Sequence, residues 1–178
     1  NEIETMKTSI DEASGNVLTF GLGLGYFAYM VSLKDNVNKV TVVEKDCEVI
    51  NLFKKHILPK FKNKDKIEII CADAYDYYNN LTDDTYDYIF IDIWHDVSDG
   101  LYHYLNFKTT ENKFNKTKIS YWIEEEILIY LRSIILDLIE DINDELIIKD
   151  VKSKNEEYNR IYHRIYSLFK DEEINSLY

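Results

Sequence analysis

The sequence predicts a doubly wound α/β domain, in which a mainly parallel sheet of about five strands carries helices on both faces and a helical extension follows. Two observations support this prediction. Five short runs rich in β-branched or aromatic residues alternate with stretches of helical periodicity. Several runs are apolar without strict alternation, which is typical of strands that are covered on both faces. The predicted strands are residues 16–20, 39–43, 66–70, 86–92 and 118–122.

Helices are predicted in the connections between these strands. The helix after the second strand has apolar residues at helical spacing and ends before Pro59, because the residue before a proline disfavours helical backbone. Right-handed crossovers between parallel strands then place the helices on both faces of the sheet. The predicted helices are residues 26–34, 46–57, 72–81 and 99–107.

The last third of the chain has a helical pattern throughout. Apolar residues recur at helical spacing over residues 123–142, and residues 158–169 repeat the pattern. Residues 145–151 are a weaker candidate for another strand. We therefore expect one domain, with a sheet core at residues 1–122 and a helical extension at residues 123–178. The apolar faces of the extension would form core or a homodimer contact.

Composition and charge exclude several classes of protein. Apolar residues make up 46% of the 178 residues, which excludes a disordered chain, and no apolar run reaches the roughly 18 residues of a membrane span. The net charge of −12 argues against a nucleic-acid partner and suits a neutral or cationic small molecule. The chain begins with Asn1 and no signal peptide follows, so we expect a missing upstream segment.

The two cysteines do not indicate a metal site. Cys47 and Cys71 are too few and too far apart in sequence for zinc. Cys71 ends an apolar run, so we expect a small buried side chain there. This use of cysteine fits a reducing, cytoplasmic setting.

The segment "NVLTFGLGLGYFAYM" places Gly21, Gly23 and Gly25 directly after the first predicted strand. Glycine costs backbone entropy, so such a cluster indicates a sharp turn or the close approach of a ligand. A P-loop requires Gly-Lys-Ser/Thr, whereas Tyr26 follows the last glycine here. A dinucleotide-binding loop has two residues between its last two glycines, whereas this loop has one.

Carboxylates follow the next three predicted strands. Glu44, Asp73 and Asp92 come at the ends of the second, third and fourth strands. Because parallel strands end at one edge of the sheet, we expect all three beside the glycine loop, where doubly wound folds bind ligands. A carboxylate at the second strand can accept both hydroxyls of a ribose.

Each of these residues also has a purely structural interpretation. The glycines would form only a tight turn, and Glu44 and Asp92 would be ordinary surface and loop residues. Asp73 would cap the helix that follows it, because aspartate is a preferred helix N-cap. The sequence alone leaves these interpretations open.

The segment "DIWHDVSDG" contains the densest group of candidate catalytic side chains: Asp92, His95, Asp96 and Asp99. In one interpretation His95 or Asp96 acts on a substrate as a base or a cation-binding group. In the other, Asp96 or Ser98 caps the next helix and His95 is exposed. Both interpretations are equally compatible with the sequence.

Together, the four segments resemble the class I S-adenosylmethionine-dependent methyltransferase superfamily over residues 16–105. "FGLGLG" is similar to its glycine motif, "VVEKD" to its ribose segment, "ADAY" to its adenine segment and "YDYIFID" to its fourth-strand motif. The resemblance implies a Rossmann-like sheet of order 3-2-1-4-5 and S-adenosyl-L-methionine as cofactor. It implies these cofactor-binding residues: Gly21, Gly23, Gly25, Glu44, Asp73, Ala74 and Asp92. Glu44 would bind the ribose, Asp73 would lie near the adenine amine, and Asp92 would face the active site.

"VLTFGLGLG" and "YDYIFIDIWHD" are also similar to the spermidine synthase branch of that superfamily. There the fourth-strand aspartate opens a loop with a second acidic residue and a proline, whereas Asp92 is followed here by His95, Asp96 and no proline. The glycine motif often begins with an acidic residue, whereas this chain has Thr19. The resemblance implies a methyltransferase for a small-molecule acceptor, with Asp92, His95 and Asp96 as catalytic residues. Aminopropyl transfer to a polyamine and a non-catalytic module are the alternatives.

Overall fold

A computed structural model describes residues 2–82 and 85–143 of the chain. Five strands form one sheet in the order β3-β2-β1-β4-β5, and all neighbouring strands are parallel. The strands are β1 (Gly15–Phe20), β2 (Val37–Glu44), β3 (Ile67–Cys71), β4 (Tyr88–Ile91) and β5 (Lys118–Tyr121). The predicted doubly wound, Rossmann-like α/β fold and its strand order are confirmed.

Seven α-helices accompany the sheet in the described ranges. They are α1 (Glu2–Thr5), α2 (Lys7–Glu12), α3 (Tyr26–Ser32), α4 (Cys47–His56), α5 (Ala74–Asn79), α6 (Val97–Lys108) and α7 (Glu124–Asn143). All four predicted inter-strand helices are present, as is the long helix predicted from residue 123. The predicted helix at residues 158–169 and the strand candidate at residues 145–151 lie outside the described residues.

The chain divides into two compact units. The first comprises residues 1–93 and 107–123 and contains the whole sheet. The second comprises, of the described residues, 94–106 and 124–143. The glycine loop, Glu44, Asp73 and Asp92 belong to the first unit, and His95 and Asp96 belong to the second.

The core of the first unit covers both faces of the sheet. On one face, Phe27 of α3 stacks on Phe90 of β4 with ring centroids 4.3 Å apart. On the other, Phe20 of β1 contacts the rings of Tyr78 and Phe107, each at 6.1 Å. All four residues of β4 are buried, as expected of a strand covered on both sides.

The second unit also buries apolar side chains. Leu101 of α6 and Ile127 and Ile134 of α7 are fully buried. The Tyr104 hydroxyl donates a hydrogen bond to Glu124 Oε1 at 2.9 Å, which joins α6 to α7. The buried positions 127 and 134 of α7 are seven residues apart, which places them on one face of the helix.

Candidate functional site

The candidate site lies at the carboxyl edge of the sheet, where β1 to β4 end. β1 lies between β2 and β4, so the strand order reverses beside it. In open parallel sheets this reversal leaves a crevice outside the strand ends, and ligands bind there. The residues that leave these strand ends are the ones that the sequence analysis singled out.

Two glycines of the loop are explained by close packing within the protein. A side chain at Gly21 would overlap the backbone carbonyl of Asp92, at the end of β4. A side chain at Gly25 would lie 2.5 Å from the ring of Phe53 in α4. Both residues also have positive φ angles, of 92° and 76°, which glycine adopts without a steric penalty.

Gly23 differs from these two glycines. Its φ of 49° is also in the left-handed region, but a side chain built there would meet no atom within 4 Å. Packing inside the protein therefore does not account for a small residue at this position. The space beside it is open to a ligand that approaches the backbone closely.

Glu44 connects the glycine loop to the end of β2. Its Oε2 accepts a hydrogen bond from the Leu22 backbone N–H at 3.1 Å, and its Oε1 accepts one from the Asp46 N–H at 2.9 Å. An ionised carboxylate offers about four acceptor positions, so each oxygen retains capacity for a further donor. Glu44 is therefore fixed beside Gly23 and is able to accept hydroxyl groups.

Asp73 caps helix α5. Its Oδ1 accepts hydrogen bonds from the backbone N–H groups of Tyr75, at 2.8 Å, and Asp76, at 3.2 Å. The capping interpretation is thus confirmed, and Ala74 is buried as the first residue of the helix. A contact between Asp73 and an adenine stays a prediction.

Asp92 follows β4 directly and is half-buried. Its backbone N–H donates to the Phe20 carbonyl at 3.0 Å, which continues the pairing of β1 and β4 beyond the strand ends. Its own carbonyl lies against Gly21. The backbone of Asp92 is therefore fixed relative to the glycine loop, and the role of its carboxylate stays a prediction.

Asp96, in the second unit, caps helix α6. Its Oδ1 accepts hydrogen bonds from the Ser98 N–H and from the Ser98 hydroxyl, both at 2.7 Å. Asp99 completes the cap, because its Oδ1 accepts from the Asp96 N–H at 3.0 Å. This is the capping alternative of the sequence analysis, and a catalytic role of Asp96 stays a prediction.

His95 is held by Asp99 and is otherwise exposed. Its Nδ1 lies 3.2 Å from Asp99 Oδ2, and 95% of its side chain is accessible to solvent. Burial raises the pKa of Asp99, but hydrogen bonds from Asp96 and His95 outweigh it, so the pKa is lowered overall. The hydroxyl and N–H of Ser98 lower the pKa of Asp96.

A disulfide between Cys47 and Cys71 is the feature at this edge that the sequence analysis missed. The expectation that Cys71 is a small buried side chain was wrong, because Cys71 is exposed and bonded to Cys47. The strand register explains the pairing: Cys71 of β3 lies opposite Glu44 of β2, and Cys47 begins the helix that follows Glu44. Only that register could have indicated the bond.

Two negative findings concern the described ranges alone. None of the helices within residues 2–82 and 85–143 combines the length and the apolar composition that crossing a membrane requires. In the same ranges, His, Cys, Asp and Glu side chains form no cluster suited to a metal ion.

The comparison with known families identifies one match. The model of the spermine/spermidine synthase domain matches residues 2–142. No curated protein matches the chain.

Three solved structures are similar to this chain. A spermidine synthase in complex with the transition-state analogue AdoDATO is 27% identical over 47% of this chain and 29% of its own, with a TM-score of 0.40. Spermidine synthase from Thermotoga maritima is 21% identical over 63% and 39%, with a TM-score of 0.47. A candidate O-methyltransferase from Klebsiella pneumoniae is 13% identical over 92% and 66%, with a TM-score of 0.51, which supports the fold alone. The chain therefore spans less than half the length of either spermidine synthase.

The glycine loop generates a prediction about stability. Replacement of Gly21 by Ala should lower the free energy of unfolding by roughly 3 kcal/mol or more, because the methyl group meets the Asp92 carbonyl and the backbone is left-handed. Gly23→Ala meets no atom and should cost only the backbone strain, about 1–2 kcal/mol. Urea denaturation of both variants measures the difference, and equal losses would contradict the assignment.

The cap of α6 generates a prediction about pH. Asp96 and Asp99 have lowered pKa values in the folded chain, whereas unfolding restores the ordinary value near 3.8. The unfolded chain then binds more protons, so the cap stabilises fully above that value and its contribution is lost as the pH falls through the folded values. Asp99→Asn should lower stability at pH 7 and flatten this loss, which urea denaturation measures from pH 7 down to below the ordinary carboxyl pKa of 3.8, to about pH 2. Asp65→Asn, at an exposed turn, is the control and should keep the wild-type pH profile.

Proposed function

This chain belongs to the spermine/spermidine synthase domain family, and on that premise we propose that it binds S-adenosyl-L-methionine and transfers its methyl group to a small-molecule acceptor. Membership of this transferase family and a fold shared with methyltransferases are the starting points. The identity of the cofactor and of the transferred group is the proposal.

One observation carries the cofactor assignment. The Glu44 carboxylate, at the end of β2, accepts a hydrogen bond from the Leu22 N–H of the glycine loop at 3.1 Å. In the same loop, the space that a side chain at Gly23 would occupy is open. A carboxylate with unused acceptor capacity fits the two hydroxyls of a ribose. The bare backbone at Gly23 fits the amino-acid part of the cofactor. The residues present are therefore suited to this group.

The other residues of the first unit have supporting roles in the proposal. Asp73 and Ala74 would lie beside the adenine, and Tyr75 next to them is already stacked on Phe107 at 4.7 Å, which holds the start of α5 in place. Gly21 and Gly25 would shape the loop, and Asp92 would orient the acceptor from the end of β4. When bound, S-adenosylmethionine supplies a methyl group that its sulfonium already activates. The chain itself then has to bind and align the acceptor.

We assign proton transfer to His95, three residues after Asp92. Asp99 engages Nδ1, so Nε2 is the nitrogen that would accept a proton from the acceptor. Asp96 would act by holding the start of α6, because its Oδ1 is occupied by the two groups of Ser98. A cytoplasmic location and a homodimer contact through the C-terminal helices remain part of the proposal.

The ribose contact is tested by Glu44→Gln. The change removes charged hydrogen bonds worth roughly 1.5–3 kcal/mol, so affinity for S-adenosylhomocysteine should fall about ten- to hundredfold. Isothermal titration calorimetry measures it, with Glu48→Gln in the exposed first turn of α4 as the charge-matched control. Wild type should also bind 2′-deoxy-S-adenosylhomocysteine less tightly than S-adenosylhomocysteine, and this difference should be smaller for Glu44→Gln, whose neutral amide oxygen is a weaker acceptor. Equal affinities of wild type and Glu44→Gln would rule out the ribose role.

Aminopropyl transfer is the second candidate. The family match and the net charge of −12, which suits a polycationic acceptor, favour it. The donor would then be decarboxylated S-adenosylmethionine, which lacks the carboxylate of the ordinary cofactor. The carboxylates of the segment "DIWHD" favour a cationic acceptor as well.

The two candidates differ in the donor that they bind. The methyltransferase proposal expects S-adenosylmethionine to bind at least tenfold more tightly than the decarboxylated compound, because only the former has a carboxylate for the glycine-loop backbone. Calorimetry with both compounds on the wild-type protein measures this ratio. A preference for the decarboxylated compound would support aminopropyl transfer instead.

A further inference from the structure

The disulfide between Cys47 and Cys71 lies at the same edge of the sheet as the candidate site. We propose that Cys47 and Cys71 form a reversible thiol–disulfide exchange site, and that its oxidation state sets the affinity of the neighbouring cofactor site. The inference rests on the proposed cofactor binding, and it adds a second reactant, a small-molecule thiol.

The position of the bond is the first step. Cys47 is the first residue of α4, three residues after Glu44, and Cys71 is the last residue of β3, two residues before Asp73. The Cα atoms of the two cysteines lie 5.5 Å apart. The disulfide therefore joins the turn that carries the proposed ribose ligand to the turn that carries the proposed adenine ligand.

The surroundings of Glu44 show how the bond reaches the site. Glu44 accepts from the Asp46 N–H at 2.9 Å, and Asp46 precedes Cys47 and caps α4 through bonds to Glu48 and Val49. On the other side, the Ala72 N–H donates to the Glu44 carbonyl at 3.0 Å, directly after Cys71. The disulfide thus links the two segments that hydrogen-bond to Glu44, one to its side chain and the other to its backbone carbonyl.

The bond is open to chemical attack. Both cysteines are exposed, unlike the buried disulfides that resist reduction. Cys47 also lies at the N-terminus of α4, where the helix dipole stabilises a departing thiolate. Exposed disulfides are typically the labile, regulatory or catalytic ones.

The reaction balances with thiols alone. The thiolate of a small-molecule thiol attacks the Cys71 sulfur, and the Cys47 thiolate leaves to give a mixed disulfide. A second small-molecule thiol then attacks the mixed disulfide and releases Cys71. The protein gains two electrons and two protons, and the two reductant molecules become one disulfide.

Oxidation should favour cofactor binding. The cross-link removes conformational freedom from the two turns before any ligand arrives, and preorganisation of this kind lowers the cost of binding. Reduction returns that freedom to the turns around Glu44 and Asp73. We expect S-adenosylhomocysteine to bind about three- to tenfold more weakly to the reduced protein.

The experiment compares four samples by calorimetry with S-adenosylhomocysteine: the full chain oxidised and reduced with dithiothreitol, and the Cys47→Ser/Cys71→Ser double variant under both conditions. Alkylation and intact mass count the thiols in each sample. Because the chain contains only two cysteines, the count reports this bond alone. The double variant should bind like the reduced wild type and should not respond to dithiothreitol.

The outcomes separate this inference from the proposed function. Equal affinity of oxidised and reduced wild type would overturn the inference and leave cofactor binding intact. The same holds if Cys47 and Cys71 remain free thiols after oxidation, because the disulfide then does not form reversibly. Loss of binding in all four samples would overturn the proposed function and the inference with it. A response of the double variant to dithiothreitol would also contradict the assignment, because no sulfur of the pair remains.

Discussion

The hydrogen bond between the Leu22 N–H and the Glu44 carboxylate is the interaction on which the candidate site depends. Residues with positive φ turn the loop away from the sheet, so its N–H groups no longer pair with a neighbouring strand. A buried N–H without a partner lowers the free energy of unfolding by about 1–3 kcal/mol. Glu44 supplies the partner from the end of β2, and its second oxygen accepts from Asp46 in the next turn. One carboxylate therefore fixes the exits of two neighbouring strands. Because the acceptor is charged, these bonds are stronger than neutral ones. The residues that would contact a ligand are therefore preorganised before it binds.

The three glycines of the loop meet two different physical needs. Gly21 and Gly25 allow protein to pack against protein, at the Asp92 carbonyl and at the Phe53 ring. Gly23 faces open space, so internal packing does not explain it. Sequence spacing cannot separate these cases, because all three residues are glycines with a positive φ. The distinction appears only when the space at each Cβ position is known.

Much of the fold could be predicted from the sequence, because a parallel sheet covered on both faces requires apolar runs that are visible without any structure. The strand boundaries were predicted less accurately than the strands themselves. β4 begins at Tyr88 instead of residue 86, because its pairing with β1 begins at Tyr88. The short helices α1 and α2 were not predicted. Both are held by distant residues: Trp122 Nε1 donates to the Thr5 hydroxyl in α1 at 2.9 Å, and Lys34 Nζ donates to the carbonyls of Ile10 and Ala13 at the end of α2 at 2.6 and 2.7 Å. The Cys47–Cys71 bond depends on the register between β2 and β3, which no local pattern contains.

The acidic residues of the site show why a motif alone does not assign chemistry. A short carboxylate after a strand suits both a helix cap and a ligand contact, and Asp73 and Asp96 are both caps in the structure. A cap lowers the pKa of Asp96 through the Ser98 hydroxyl, and a carboxylate with a lowered pKa is a weaker proton acceptor. It remains an anion and attracts cations, but it does not remove protons efficiently near neutral pH. Imidazole is the side chain suited to that task, and Asp99 already orients the ring of His95. The chemistry of this loop therefore supports the roles given in the proposal, in which Asp96 holds the start of α6 and His95 accepts a proton.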